Sequence, residues 1–182
     1  MEWVLGVLVG VSLSAACGFR VFVPMLVMSI AVHSGHLEPA SGFEWLGSLP
    51  ALMGFGLATA LEIVAYFVPV VNNALDVIAT PAAAVAGTIL TASMAGELSP
   101  VFRWVLAVVA GGAVAGGVQL ATVSLRSAVT PLGGTGLISA AEDGAAVATS
   151  ILAVTIPLLA VSLIVVFGVF LMRRKHLREK RV

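Results

Sequence analysis

Charge is what this sequence has least of. Only 10% of its 182 residues are Asp, Glu, Lys or Arg, against 60% hydrophobic residues and a mean hydropathy of +1.13. Soluble domains carry about 25% charge and under half apolar residues, and a soluble fold of this size could not hide so much apolar side chain. A multi-span membrane protein is the class that remains. The single cysteine, Cys17, excludes an internal disulfide. P-loop, GxSxG, HExxH and paired-cysteine patterns are all missing, so no enzymatic activity, catalytic residue, cofactor or metal is expected. His33 and His36 with Glu38 form only a weak metal pattern in a turn loop. Tyr66, the one tyrosine, reads as a packing residue with a hydrogen-bonded hydroxyl.

The formal net charge of zero conceals segregation. Six of the nine basic residues lie in "RRKHLREKR" (173–181), and Arg20, Arg103 and Arg126 stand alone. One short basic tail is not a nucleic-acid surface. It reads as a membrane-orienting flank, cytoplasmic by the positive-inside rule, with attraction to anionic lipid as a second role. The start "MEWVLGVLVGVSLSAACG" lacks a basic n-region, and Ser14 stands where a lipoprotein signal would carry Leu. Residues 1–32 are therefore read as mature protein.

What the chain does have is apolar runs of membrane-spanning length. Five are expected as helices: 3–32, 49–71, 77–97, 103–128 and 143–172. They form one transmembrane domain, 1–172, followed by the tail 173–182. The fold class is thus all-α, a polytopic helix bundle of five spans, or six if a segment is broken or re-entrant. The first and last runs reach about 45 Å if helical, and Pro24 and Pro157 are candidate breaks. "HSGHLEPASGFEWLGS" (33–48) is the one long polar loop, and "TPLGGTGLISAAED" (130–143) is rich in glycine. Five spans with a cytoplasmic tail put the N-terminus outside and the 96–104 loop inside. Trp3, Trp45 and Trp104 then fall near interfaces.

Small residues recur at helix-packing spacing: Gly6 and Gly10, Gly112 and Gly116, and the stripe Ala83, Gly87, Thr91, Ala95. In lipid such residues let backbones approach, which predicts bundle interior, with an oligomer interface as the other use. "NALD" (73–76) and "SAAE" (139–142) have capping-box spacing and predict two parallel helix starts on the outer side.

The polar residues inside the apolar zone are the candidates for function. An arginine at membrane depth costs at least ~2.5–3.5 kcal/mol on insertion scales, so Arg20 needs a partner or water. Glu62 lies at similar depth in the next span, and an Arg20–Glu62 pair is expected. It would serve as a fixed brace or as a solute- or proton-linked site. Asn72, Asn73 and Asp76, with Arg126, Glu142 and Asp143, gather at the outer ends. Arg126 is expected to contact Asp76, Glu142 or Asp143, and the group reads either as dipole-stabilised helix starts or as a polar vestibule.

"GFRVFVP" (18–24), "PVVNNALD" (69–76) and "R…TGLISAAEDG" (126–144) together resemble a bacterial membrane family, domain of unknown function 4126. The resemblance covers nearly the whole chain. It implies a small integral protein of the inner membrane and supplies no activity. Its pattern often carries a second acid near 73 and a basic or histidine residue near 119. This chain has Asn73 and Gln119, which weighs against a proton relay. The expected function is binding or passage of a small solute or ion through a polar core built from the residues named above, including Gln119. The alternative is a non-transporting scaffold, lipid-binding or accessory subunit. Membrane lipids, a small solute or ion and a second copy of the chain are the expected partners.

Overall fold

The computed structural model describes residues 2–66, 69–129, 135–157, 159–160, 162 and 166. The basic tail 173–182, most of the fifth predicted run beyond 160 and residues 130–134 of the Gly-rich loop lie outside the described residues. Among those described the chain is all helical: α1 (Glu2–Cys17), α2 (Phe22–His33), α3 (Leu49–Tyr66), α4 (Pro69–Met94), α5 (Pro100–Leu106), α6 (Ala113–Val129) and α7 (Thr135–Thr155). A 3-10 turn, Glu44–Gly47, precedes α3, and a π-helical stretch, Ala107–Gly112, joins α5 to α6 into one rod.

Among the described residues, four helices are long and apolar enough to cross a membrane: Leu49–Tyr66, Leu75–Met94, Pro100–Ala128 and Gly136–Thr155. They carry most of the polytopic bundle the composition requires. The first predicted run, 3–32, is not a single span. It breaks at Gly18–Val21 into two shorter apolar helices. α1 runs antiparallel to α4, with Gly6 against Met94, Gly10 against Thr91 and Ser14 against Gly87. α2 then runs back along α4, Val21, Phe22 and Met25 sharing one groove with Pro81, Val85 and Ile89. The loop after it reaches the end of α4, where Ala40 N–H donates to Ser93 O at 2.7 Å. α1 and α2 therefore form a re-entrant hairpin. The start of α1, the 34–48 loop and the 95–99 turn share one face, so the N-terminus does not lie opposite the 34–48 loop as five spans required.

The break has local causes. Thr122 Oγ1 donates to Gly18 O at 3.2 Å, and a Cβ on Gly18 would collide with Val118 and lie 2.8 Å from Ala115 O. Only glycine lets α6 approach the chain that closely. Pro24 does not break a helix. It occupies the first turn of α2, where its missing N–H has no intrahelical partner to lose.

Helix boundaries also differ from expectation. α4 begins at Pro69 and α7 at Thr135, so Asn73 and Ser139 lie inside helices and are not N-caps. Pro69 is itself a favoured first helical residue, and "TGLIS" (135–139) supports helix once packed. α7 ends at Thr155, two residues before Pro157, where the preceding residue is pushed out of helical backbone.

α1 is the centre of the bundle, packed by α4, α6, α7 and α2. The small-residue stripes are interior as expected. A Cβ on Gly87 would sit 2.6 Å from Ala115 Cβ and 2.8 Å from Gly111 O. Ser14 Oγ, buried in the α1–α4 seam, lies 2.6 Å from Gly87 O and 2.9 Å from Thr91 Oγ1, an interhelical polar contact of the kind that holds helices together in lipid. α3 is peripheral and shows Leu49, Met53, Leu57, Leu61 and Val64 on its outer side.

Candidate functional site: a buried charge cluster at the hairpin tip

The tip of the hairpin places Arg20 among the inner turns of α7. Arg20 Nε donates to Asp143 Oδ1 at 2.6 Å, NH1 to Glu142 Oε2 at 2.9 Å and to Phe19 O at 3.3 Å, and NH2 to Ser139 O at 3.2 Å. Its side chain is completely buried. Arg126, near the end of α6, bonds Asp76 through NH1 and Glu142 through NH2. Glu142 Oε2 thus accepts from both guanidinium groups. Sequence reasoning expected Arg126 to meet this set, and it does.

The expected Arg20–Glu62 pair does not form. Glu62 accepts Val21 N–H at Oε1 (2.7 Å) and Phe22 N–H at Oε2 (3.0 Å). The physical reason is the hairpin itself. A helix starting at membrane depth leaves its first N–H groups without intrahelical acceptors, and lipid supplies none. A carboxylate from α3 meets that need and also favours the positive end of the α2 dipole. Arg20, on the other side of the tip, is then free to face α7.

Tyr66 completes the floor. Its ring lies under both cations, 4.1 Å from Arg20 Cζ and 4.5 Å from Arg126 Cζ to the ring centroid, a geometry in which a desolvated cation gains up to about 2 kcal/mol. The sequence offered one signal for this role. Tyr66 is four residues after Glu62, which puts both on one face of α3. Ser139, by spacing a cap candidate, gives its carbonyl to Arg20, and its buried hydroxyl has no hydrogen-bond partner among the described residues.

Asp76 stands seven residues after Pro69, and Glu142 seven after Thr135. Each is therefore about 10 Å along its helix, too deep to be a helix-start acid. α4 and α7 begin on the same face, run parallel, and offer equivalent carboxylates to one arginine. Gln119 lies on the α6 face that carries Thr122 and Arg126, buried, with no hydrogen-bond partner for its Nε2 among the described residues. Asn72 and Asn73 lie on α4 with side chains outside the described set. No group of His, Cys, Asp and Glu among the described residues could hold a metal.

The charge count of the ion-paired cluster is uneven. Among the described residues Arg20 and Arg126 contribute +2 and Asp76, Glu142 and Asp143 −3, and Glu62, held by the N–H groups across the tip, is a further acid, so carboxylates outnumber arginines in a low-dielectric site where uncompensated charge is costly. Glu142, only 5% exposed, also has an oxygen, Oε1, without a hydrogen-bond partner. The cluster can accept a proton, a cation or a donor group.

A family model described as a domain of unknown function (DUF4126) matches residues 7–175. No curated protein and no solved structure matches the chain.

Proposed function

For this chain, which belongs to that family of unknown function, we propose that the buried cluster binds or passes a small cation or protonated solute. The observation that supports the reading is the surplus carboxylate: three acids meet two arginines, and Glu142 Oε1 has no hydrogen-bond partner among the described residues. Buried charges persist when paired or when they carry a function. Among the described residues the acids here outnumber the arginines. The tail 173–181, with its six basic residues, supports an inner-membrane placement with a cytoplasmic C-terminus.

The test is flux in proteoliposomes. Wild-type protein should carry methylammonium or protons across the bilayer well above protein-free vesicles, and Glu142→Gln should abolish the difference. Wild-type rates equal to the leak, together with no methylammonium binding in detergent, would overturn the reading.

A second reading has its own support. Arg20 is fully buried with all three nitrogens bonded, which suits a brace that pins the hairpin to α7 in a non-transporting scaffold or accessory subunit. Under that reading, replacing the cluster by apolar residues of similar volume keeps the protein folded and leaves its cellular role intact.

A further inference from the structure

α6 and α7 diverge beside the hairpin tip and leave a groove of about 470 Å³ between them, within the size range of small-molecule sites. Phe19, Val118, Leu125 and Ile138 make its walls apolar, and Thr122 and Glu142 are the polar residues that line it. Leu125 in its lining is 58% exposed, so the groove opens on the outer, apolar surface of the bundle. Glu142, only 5% exposed, is part of the lining. Its Oε2 is taken by both arginines, while Oε1 is buried and without a partner. Thr122 Oγ1 directs its proton at Gln119 O (2.8 Å) and Gly18 O (3.2 Å), so its lone pairs remain open to a donor.

We propose that this groove is a lateral binding site for a membrane-partitioned primary amine: an apolar chain between α6 and α7, and an ammonium donating to Glu142 Oε1 and Thr122 Oγ1. Charge complementarity selects the head. Carboxylates outnumber arginines in the cluster, and the two lining groups that lack a donor, the buried Glu142 Oε1 and Thr122 Oγ1, are both acceptors, so the ligand is cationic and carries at least two N–H groups. The lining selects the tail. A phospholipid with an ethanolamine head has the same ammonium, but its phosphate would need a cation in the groove, and both arginines are held on the far oxygen of Glu142. The inference rests on the reading of the cluster as a cation site and adds the route and the class of ligand.

The probe is n-dodecylammonium, with n-dodecyltrimethylammonium as the partner that keeps charge and chain but has no N–H. Native mass spectrometry of the purified full chain should show one bound dodecylammonium, at least about tenfold tighter than the trimethyl compound. Glu142→Gln should weaken it by a similar factor. Ala141→Phe, which fills the groove from an exposed position, should abolish binding while leaving the Glu142 pairs intact, and keeps the test decisive if Glu142→Gln fails to fold. Equal binding of the trimethyl compound, binding that survives Ala141→Phe, or displacement by phosphatidylethanolamine in nanodiscs would each overturn the proposal. Methylammonium flux that persists without dodecylammonium binding would remove the lateral site and leave the cluster reading standing. Loss of both would remove both.

Discussion

At the residue scale, the two arginines hold the interior together by different means. Arg126 joins α6 to both α4 and α7 through one planar fork. Lysine offers a point charge on a flexible stem and cannot bridge two carboxylates from one rigid group. Arg126→Lys is therefore expected to destabilise the protein markedly, and Arg126→Met by roughly 3–5 kcal/mol, the usual loss when one partner of a buried pair is removed. Thermal unfolding in detergent measures both. Glu62 is a different case. Glu62→Ala leaves two N–H groups at the tip without acceptors, a cost of about 1–3 kcal/mol each. A double-mutant cycle should find Arg20 coupled strongly to Glu142 and less than half as strongly to Glu62. Equal couplings would show that the charges act through the general field of the site rather than through the contacts seen.

At the element scale, the α1–α2 hairpin decides the topology. With Cys17 replaced by Ala, single cysteines at Trp3 and at His36 should be labelled by an impermeant thiol reagent from the same side of the membrane. Labelling from opposite sides would restore an unbroken first span. The π-helical stretch Ala107–Gly112 is a second element with a positional consequence. Each inserted residue turns a helix by about 100°, and Ala115, Gln119, Thr122 and Arg126 above it face the interior. Deleting Val109 from the exposed side of that stretch should rotate Arg126 away from Asp76 and Glu142, and cost at least as much stability as Arg126→Met. Gly87→Leu should separate α4 from α6 and α1, because the space beside it is filled by Ala115, Gly111 and Ser14. Overpacking of this kind costs about 1–3 kcal/mol or more.

At the scale of the whole molecule, the bilayer sets which side chains count as inside. Leu57 on α3 is 65% exposed and faces lipid. Leu57→Arg should lower the membrane-integrated fraction on expression, whereas Glu97→Arg on the exposed 95–99 turn should leave it unchanged, in keeping with the ~2.5–3.5 kcal/mol cost of a mid-membrane arginine. Composition and run length alone determined that this is a helical membrane protein, because few other solutions accommodate 60% apolar residues with 10% charge. Spacing determined the small-residue seams, since i, i+4 periodicity is a property of any single helix. Sequence also brought Arg126 to its acids, because all of them sit toward the same ends of neighbouring spans. Only the tertiary structure decided that the first run turns back at Gly18, because the turn depends on Thr122 and Glu62, which are 104 and 40 positions or more away. It alone decided the partner of Arg20. Depth along two spans pointed to Glu62, but the unpaired N–H groups at the start of α2 claim that carboxylate, and Arg20 turns to Glu142 and Asp143 of α7.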